Sequence, residues 1–260
     1  RAPFRVPCLG AERIELAGAP CLVFPGMSAF VGGDIVAGVC ACGMEKSKEL
    51  TLLIDLGTNG ELVLGNCDRR LACATAAGPA FEGGVNSGIW GADMIALLAT
   101  LKRQGILDET GLLKEPYFER GIRIGNVLVT QQAVRSIQLA KGAVAAGTEI
   151  LLERYGITAD EVGRVVLAGG FGYYLNPQAA AQLGLLPEKL AKKAVSGGNT
   201  ALTGALLAGR RWLACGDWRS VAAQLEETAG RTETLNLAQT PEFEEKYIAH
   251  LNFGEKAEYL

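Results

Sequence analysis

Asp55 ends an apolar run, Leu52-Leu-Ile-Asp55-Leu-Gly57-Thr58-Asn59-Gly60-Glu61, which turns on Gly-Thr-Asn-Gly and returns as a second apolar run to Gly65. A carboxylate beside several bare backbone N–H groups at a strand tip is chemistry suited to phosphate and to the cation that accompanies it. Far downstream, Val165-Val166-Leu167-Ala168-Gly169-Gly170-Phe171-Gly172 is again a buried run ending in a glycine turn. Two such tips on one sheet could grip two ends of a nucleotide.

Simpler readings compete at each place. Asn59-Gly60 between alternating apolar runs is a strong hairpin signal and needs no ligand. The hairpin leaves Asp55 unexplained, because an unpaired charge in a buried strand is costly. A metal ion or a phosphate-bound water would supply the missing partner. Gly169-Gly170 fits a plain crossover turn that needs positive φ, or a backbone bared for a flat base or ribose. Asn199-Thr200, after Ser196-Gly197-Gly198, opens a helix whose N–H groups could face an anion, with ordinary N-capping as the alternative. In Gly78-Pro79-Ala80-Phe81-Glu82-Gly83-Gly84, a Phe and an acid flanked by glycines suit a shaped functional loop, or an exposed loop with no role.

Composition narrows the chemistry. The chain has 260 residues, 49% hydrophobic and 20% charged, which supplies ample core for one large domain or two small ones. Net charge is −3 with no Lys/Arg stripe, which argues against nucleic acid as a partner. No apolar run reaches the ~18 residues of a membrane span, and no signal segment opens the sequence. The chain reads as cytoplasmic. Seven cysteines at irregular spacing, Cys40-Ala-Cys42 included, read as reduced thiols and not as a metal set. A single histidine, His250, rules out triads built on histidine and reads as a solvated helix residue.

The elements that must position these residues follow from periodicity. Short extended pieces lie near Arg13–Leu16 and Cys21–Phe24, then an apolar helix runs from Asp34 to about Met44 with Asp34 in its first turn. Glu45–Glu49 is the best boundary. Three strands in series follow, Leu50–Asp55, Glu61–Leu64 and Leu71–Ala74, joined by hairpin chemistry. A helix is expected at Ala92–Gln104, one strand near Ile122–Val129, and a long helix from the cap Thr130 to about Tyr155. Gly142 and Gly147 inside it would each cost ~1 kcal/mol against Ala, which implies close approach of a backbone or ligand, or small-residue packing. A strand at Gly163–Leu167 follows. Helices come next near Pro177–Leu183, Asn199–Leu213 and Trp218–Ala229, then a strand at Thr234–Leu237 and a final helix, Pro241–Asn252. Hairpins first, then alternating helix and strand, make an α/β fold with a mixed sheet and flanking helices.

In this order the motifs resemble a known family. Ile54-Asp-Leu-Gly-Thr-Asn-Gly-Glu61, Thr75-Ala-Ala-Gly-Pro-Ala-Phe-Glu-Gly83, Gln138-Leu-Ala-Lys-Gly142, Leu167-Ala-Gly-Gly-Phe-Gly172 with Leu175-Asn-Pro177, and Gly198-Asn-Thr-Ala-Leu-Thr-Gly204 are similar to the C-terminal part of the ATP-dependent reductive activators of corrinoid proteins. These form a branch of the acetate/sugar kinase–actin–heat-shock-chaperone superfamily. Phe30-Val-Gly-Gly-Asp-Ile-Val-Ala-Gly38 and Phe243-Glu-Glu-Lys-Tyr-Ile-Ala-His-Leu-Asn-Phe253 extend the resemblance from about residue 20 to the end.

The resemblance implies a ribonuclease-H-like, actin-like lobe forming one wall of an ATP cleft. Residues 1–46 would be the tail of a preceding lobe or a linker plus helix, and 47–260 the second lobe. Asp55, Gly57, Thr58, Asn59 and Gly60 would form the phosphate and Mg²⁺ wall, with Asp55 as metal holder or water-orienting group. Gly169, Gly170 and Asn199 would serve the rest of the nucleotide, and Glu82 is the other catalytic acid to nominate. In such relatives ATP turnover drives reduction of cob(II)alamin to cob(I)alamin on a partner corrinoid protein, and a homodimer is compatible with the lobe. The family's 2Fe–2S domain and first-lobe phosphate strand are absent from these 260 residues, so the chain reads as part of a longer protein. Relatives also carry a longer Cys-containing insertion where Val85-Asn86-Ser87 here joins Gly88-Ile89-Trp90-Gly91. The competing functions are a small-molecule kinase of the same superfamily, with Glu82 serving the acceptor, and a docking module without catalysis.

Overall fold

The computed structural model describes residues 10–78 and 91–254. A hairpin, β1 (Glu12–Leu16) with β2 (Ala19–Val23), precedes helix α1 (Gly33–Cys42). Strands β3 (Thr51–Leu56), β4 (Gly60–Gly65) and β5 (Arg70–Thr75) form an antiparallel meander. After helices α2 (Gly91–Arg103) and α3 (Tyr117–Arg120) comes a small hairpin, β6 (Ile122–Ile124) with β7 (Val127–Val129), then the long helix α4 (Gln131–Tyr155). Strand β8 (Arg164–Ala168) leads through the short helices α5 (Gly169–Gly172), α6 (Pro177–Gln182) and α7 (Glu188–Ala191) to β9 (Ala194–Gly198). Helices α8 (Thr200–Cys215) and α9 (Trp218–Gly230), strand β10 (Thr232–Leu235) and helix α10 (Phe243–Ala249) follow.

Six strands share one mixed sheet in the order β10-β5-β4-β3-β8-β9, with β8, β9 and β10 each parallel to the strand they join. Alternation along the strands splits their side chains between two cores. Leu52, Ile54, Leu56, Leu62 and Leu167 join the layer of α2, α4 and α6. Leu53, Val63, Val166 and Ala168 join Ile35, Val36 and Val39 of α1 and Val221 and Leu225 of α9. Period two therefore places Asp55 and Glu61 on the α1 side, beyond Leu53 and Val63.

On that side α1 and α8 cross closely at glycines, with the Thr200 side chain of α8 seated against Gly38 of α1. A Cβ on Gly204 would lie 2.0 Å from the Ala37 carbonyl oxygen, and one on Gly38 would lie 3.1 Å from Leu53 Cδ2. This crossing seats the start of α8 beside the end of β3.

The opposite layer rests on α4, whose Thr130 cap accepts from the Ala133 N–H at 3.2 Å. The close approach that Gly142 and Gly147 implied is by protein and not by ligand. A Cβ at Gly142 would meet Leu251, Tyr247 and His250, and one at Gly147 would meet Thr75 and Leu62.

Four expectations need correction. The single strand near 122–129 is a hairpin, turning at Gly125 with φ +58°. Strand β9 was not foreseen, because Ala194-Val-Ser-Gly-Gly is a glycine-rich edge with no alternating pattern. Strand β10 starts two residues earlier than expected. His250 is not solvated: it is 9% exposed, and its Nε2 lies 2.5 Å from Glu149 Oε2, since Gly142 lets the C-terminal segment close onto α4. The cysteines among the described residues are free thiols, and burial lifts Cys40 and Cys42 to about 11, so both stay protonated.

Candidate functional site

The register of the sheet brings the two glycine tips together. Asp55 pairs with Glu61 on β4 and with Ala168 on β8, so the ends of β3 and β8 lie side by side. Gly169 follows directly with φ +83°, and a Cβ there would fall 2.4 Å from Asp55 Oδ1 and 2.4 Å from the Leu56 carbonyl oxygen. Only glycine admits both the conformation and the contact. Across the sheet face, Thr200 Oγ1 donates to Asp55 Oδ2 at 3.3 Å. The carboxylate is thus held from two sides by elements far apart in the chain.

The turn beyond it is tight. The Gly57 N–H donates to the Asn59 carbonyl at 2.9 Å, leaving Thr58 and Asn59 exposed at the tip and Gly57 half-buried. Gly60 is buried in β4, where a Cβ would meet Thr75 Oγ1 at 2.7 Å, and that hydroxyl donates to the Gly60 carbonyl at 2.9 Å. Gly60 therefore has a packing reason of its own. Gly170 is exposed with open space where a Cβ would be, while the exposed ring of Tyr173 lies near Gly198, 3.7 Å from where a Cβ on that residue would be. Asn199 is the N-cap of α8, its Oδ1 accepting from the Leu202 N–H at 2.8 Å. Capping fixes the helix start, and so fixes Thr200 against Asp55. Glu82 and its glycine-flanked loop, with the 84–88 joint, lie outside the described residues.

Two further acids share this face. Burial, with Asp34 and Asp55 nearby, pushes the Glu61 carboxyl up to about 7. Burial likewise raises Asp55, against the lowering effect of the Thr200 hydrogen bond, and Asp34 adds to the rise. Asp34 is in the first turn of α1, where its Oδ1 accepts from the Ile35 N–H at 2.9 Å. None of the three acids is in an ion pair among the described residues. Carboxylates gathered without a cation are held at the cost of their own ionisation, which a bound cation would reverse. No three His, Cys, Asp or Glu side chains among the described residues converge closely enough to hold a metal between them. The donor set suits Mg²⁺, which keeps several waters and is bound through one or two carboxylates plus phosphate oxygens.

Asp34, Glu61 and Thr200 complete the site beyond the residues singled out in the sequence. A signal for Glu61 existed: it is the second acid bracketing the turn, six residues after Asp55, and antiparallel pairing folds it back opposite Asp55. Thr200 is visible only through the α1–α8 crossing.

Comparison with known proteins bears on the family and the fold. A family model described as the C-terminal domain of RACo, the ASKHA domain, matches residues 49–87 and 85–259, two segments that meet at the short joint. The chain is 29% identical to the corrinoid activation enzyme RamQ of Eubacterium limosum, covering 89% of this chain and 47% of that protein. That alignment runs over 287 positions, more than this chain contains, so RamQ carries residues missing here. A [Co(II) methylated amine-specific corrinoid protein] reductase of Methanosarcina barkeri is 25% identical over 72% of this chain and 44% of its own length. Among solved structures, a reductive activator for corrinoid,iron-sulfur protein superposes with a TM-score of 0.77 at 31% identity, covering 88% of this chain and 44% of that one. The mixed α/β sheet is therefore the actin-like fold expected from the motifs. The chain spans less than half the length of these relatives.

Proposed function

The chain belongs to the family of the C-terminal ASKHA domain of RACo, and we propose that it is the second actin-like lobe of an ATP-dependent reductive activase acting on a corrinoid protein. In this reading residues 1–46 join it to a preceding lobe, and 47–260 form one wall of the nucleotide cleft. The observation that carries the reading is Asp55, fixed between Thr200 and Gly169 at the meeting of two strand tips and in no ion pair among the described residues.

Mg²⁺-ATP, when bound, supplies the phosphoanhydride whose hydrolysis makes an uphill one-electron reduction of Co(II) to Co(I) attainable. In the longer protein a 2Fe–2S centre would supply the electron. Asp55 balances the charge of the metal and orients water toward phosphate. The Gly57–Asn59 turn, closed by the Gly57 N–H, presents the exposed tip residues Thr58 and Asn59 to phosphate oxygens. Glu61, titrating near neutrality, can take up a proton released from that water. Gly169 and Gly170 bare the backbone for the nucleoside, with Asn199 fixing the neighbouring helix start. Positioning and charge neutralisation of this kind account for most of phosphoryl-transfer catalysis.

The test is made in the longer protein. Asp55→Ala should abolish ATP-dependent formation of cob(I)alamin, followed by its visible absorption, while electron transfer to a strong chemical acceptor persists. The 260-residue chain alone, with half of the cleft, should bind ATP weakly and hydrolyse almost none. Tight Mg²⁺-dependent ATP binding by this chain in a calorimetric titration would contradict the half-cleft reading, and undiminished activity of the Asp55→Ala protein would leave only a docking role.

A further inference from the structure

A cavity of about 860 Å³ lies between the end of α2, the loop that follows it, and helices α6 and α7. It is remote from the acidic tip. Helix α7 leads into β9 at the end of the sheet where β8 begins, shown by the Val165 N–H donating to the Lys193 carbonyl at 3.1 Å. Gly169 is at the other end of β8, roughly 16 Å along five strand residues.

The charges around this cavity do not balance. Lys102, Arg103 and Lys114 line it, and none of the three is in an ion pair among the described residues. Lys102 Nζ donates to the Gln182 carbonyl at 3.3 Å, and Arg103 donates to Thr100 Oγ1 at 3.1 Å, both neutral acceptors. Lys192 lines the cavity as well, making four cations against three acids, and the charge of Lys114 reaches Asp108 as the weakest of the influences on that carboxyl. Glu188 pairs with Lys192 at 2.6 Å, and Asp108 accepts from Thr110 Oγ1 and the Leu112 N–H within its own turn. Glu109 is exposed, and its carbonyl anchors the Phe253 N–H.

Behind Lys102 is a second amine in worse surroundings. Lys141 is 1% exposed, its Nζ donating to the Asn252 carbonyl and lying 5.6 Å from the Phe253 ring centre. Glycines let the two lysines crowd one spot. A Cβ on Gly184 would lie 3.4 Å from Lys141 Nζ and 2.6 Å from the Gly254 carbonyl oxygen, and one on Gly254 would lie 3.4 Å from Lys102 Nζ. Burial first, and then the charge of Lys102, brings the Lys141 ammonium down to about 7. Buried or crowded cations without a carboxylate are expensive, and an anion in reach removes that cost.

We propose that this cavity binds a small organic oxyanion, a carboxylate or phosphate compound, with Lys102, Arg103 and Lys114 as its contacts and Lys141 as the charge behind them. Nothing in the nucleotide reading uses these residues, so the two stand or fall separately. The volume is within the range of small-molecule sites.

Titration of the 260-residue chain at constant ionic strength, with citrate as the carboxylate probe and inorganic phosphate as the phosphate probe, tests this. Saturable binding of one or both is expected, weakened tenfold or more by Lys102→Gln and by Lys114→Gln and unchanged by Asp55→Ala. Which probe binds identifies the oxyanion. Bound anion should also raise the Lys141 titration midpoint, read from its side-chain NMR signals. Lys102→Gln alone should raise that midpoint without ligand, which shows that the variant is folded and the two amines are coupled. The proposal is overturned if neither probe saturates, if matched sodium chloride gives the same response, or if both variants bind as the parent does.

Discussion

Two groups of carboxylates in this lobe are treated in opposite ways. Glu149, on α4, faces a lysine and a histidine of the C-terminal segment: Lys246 Nζ lies 2.5 Å from Oε1, and His250 Nε2 lies 2.5 Å from Oε2. The His250 hydrogen bond first, and Lys246 after it, hold Glu149 down to about 2. At the sheet tip, Asp34, Asp55 and Glu61 have no cationic partner among the described residues, only neutral donors such as the Thr200 hydroxyl and the Ile35 N–H, and burial raises Asp55 and Glu61. An acid that holds a fold together is given its counter-charge by the chain. An acid kept ready for a ligand is left without one, and its stabilising partner is the ligand itself.

The contrast is broken most severely at Gly169. Gly169→Ala places a methyl against Asp55 Oδ1 and the Leu56 carbonyl at a φ of +83°. The strained backbone costs about 1–2 kcal/mol and the clash adds comparably, so a loss of roughly 3 kcal/mol in urea denaturation is expected. A wild-type midpoint would show that the β3 and β8 tips are not in contact. Next in size is Asp55→Ala in the longer protein. It should weaken Mg²⁺-dependent nucleotide binding on the order of 100-fold, or about 2.7 kcal/mol, with no fall in melting temperature, because it deletes a desolvated charge and not a packed anchor.

Third is Glu149→Gln. The folded pKa lies below the ordinary 4.5, so this group's contribution is fully present above pH 4.5 and is lost as pH falls toward about 2. The shift corresponds to about 3 kcal/mol before solvent screening, and for a group this exposed roughly 1 kcal/mol remains. The variant should lose that amount at pH 7 and nothing at pH 2, measured by denaturant titration at both. Equal losses at both pH values would mean that packing, not charge, joins the C-terminal segment to α4.

Much of this was legible in the residues, for identifiable reasons. The meander was visible because Leu50–Asp55, Glu61–Leu64 and Leu71–Ala74 are short apolar runs that end in turn residues, and α4 because a cap and a helical apolar stripe agree over 25 residues. Asp55 stood out as an acid where the pattern demanded an apolar residue. What could not be read depended on partners distant in sequence. Thr200 meets Asp55 across 145 residues, Glu149 meets His250 across 101, and Lys141 reaches Asn252 across 111. No local period encodes such a pair. Strand β9 was hidden for a different reason: an edge strand of Ser and Gly buries little, and pairing with β8 alone makes it a strand.

The smallest expected effect is the sharpest test of the contrast. Glu61→Gln leaves shape almost unchanged and removes one ionisation. The Glu61 pKa is raised from 4.5 to about 7, so the folded state holds a proton that the unfolded chain has released between those values. Wild-type stability from this group therefore declines as pH rises from 4.5 to about 7, and the full cost is present above it. After allowance for solvent, that cost is about 1 kcal/mol. Glu61→Gln should match the wild type at pH 4.5 and exceed it by that amount at pH 8, the reverse of Glu149→Gln. Removing the neighbouring charge with Asp34→Asn should narrow the difference, as should saturating Mg²⁺-nucleotide in the longer protein, because each offsets what burial costs Glu61. A Glu61→Gln chain that is less stable at pH 8 would mean that the tip acids, like Glu149, already have a counter-charge within the protein, and the distinction between the two groups would be lost.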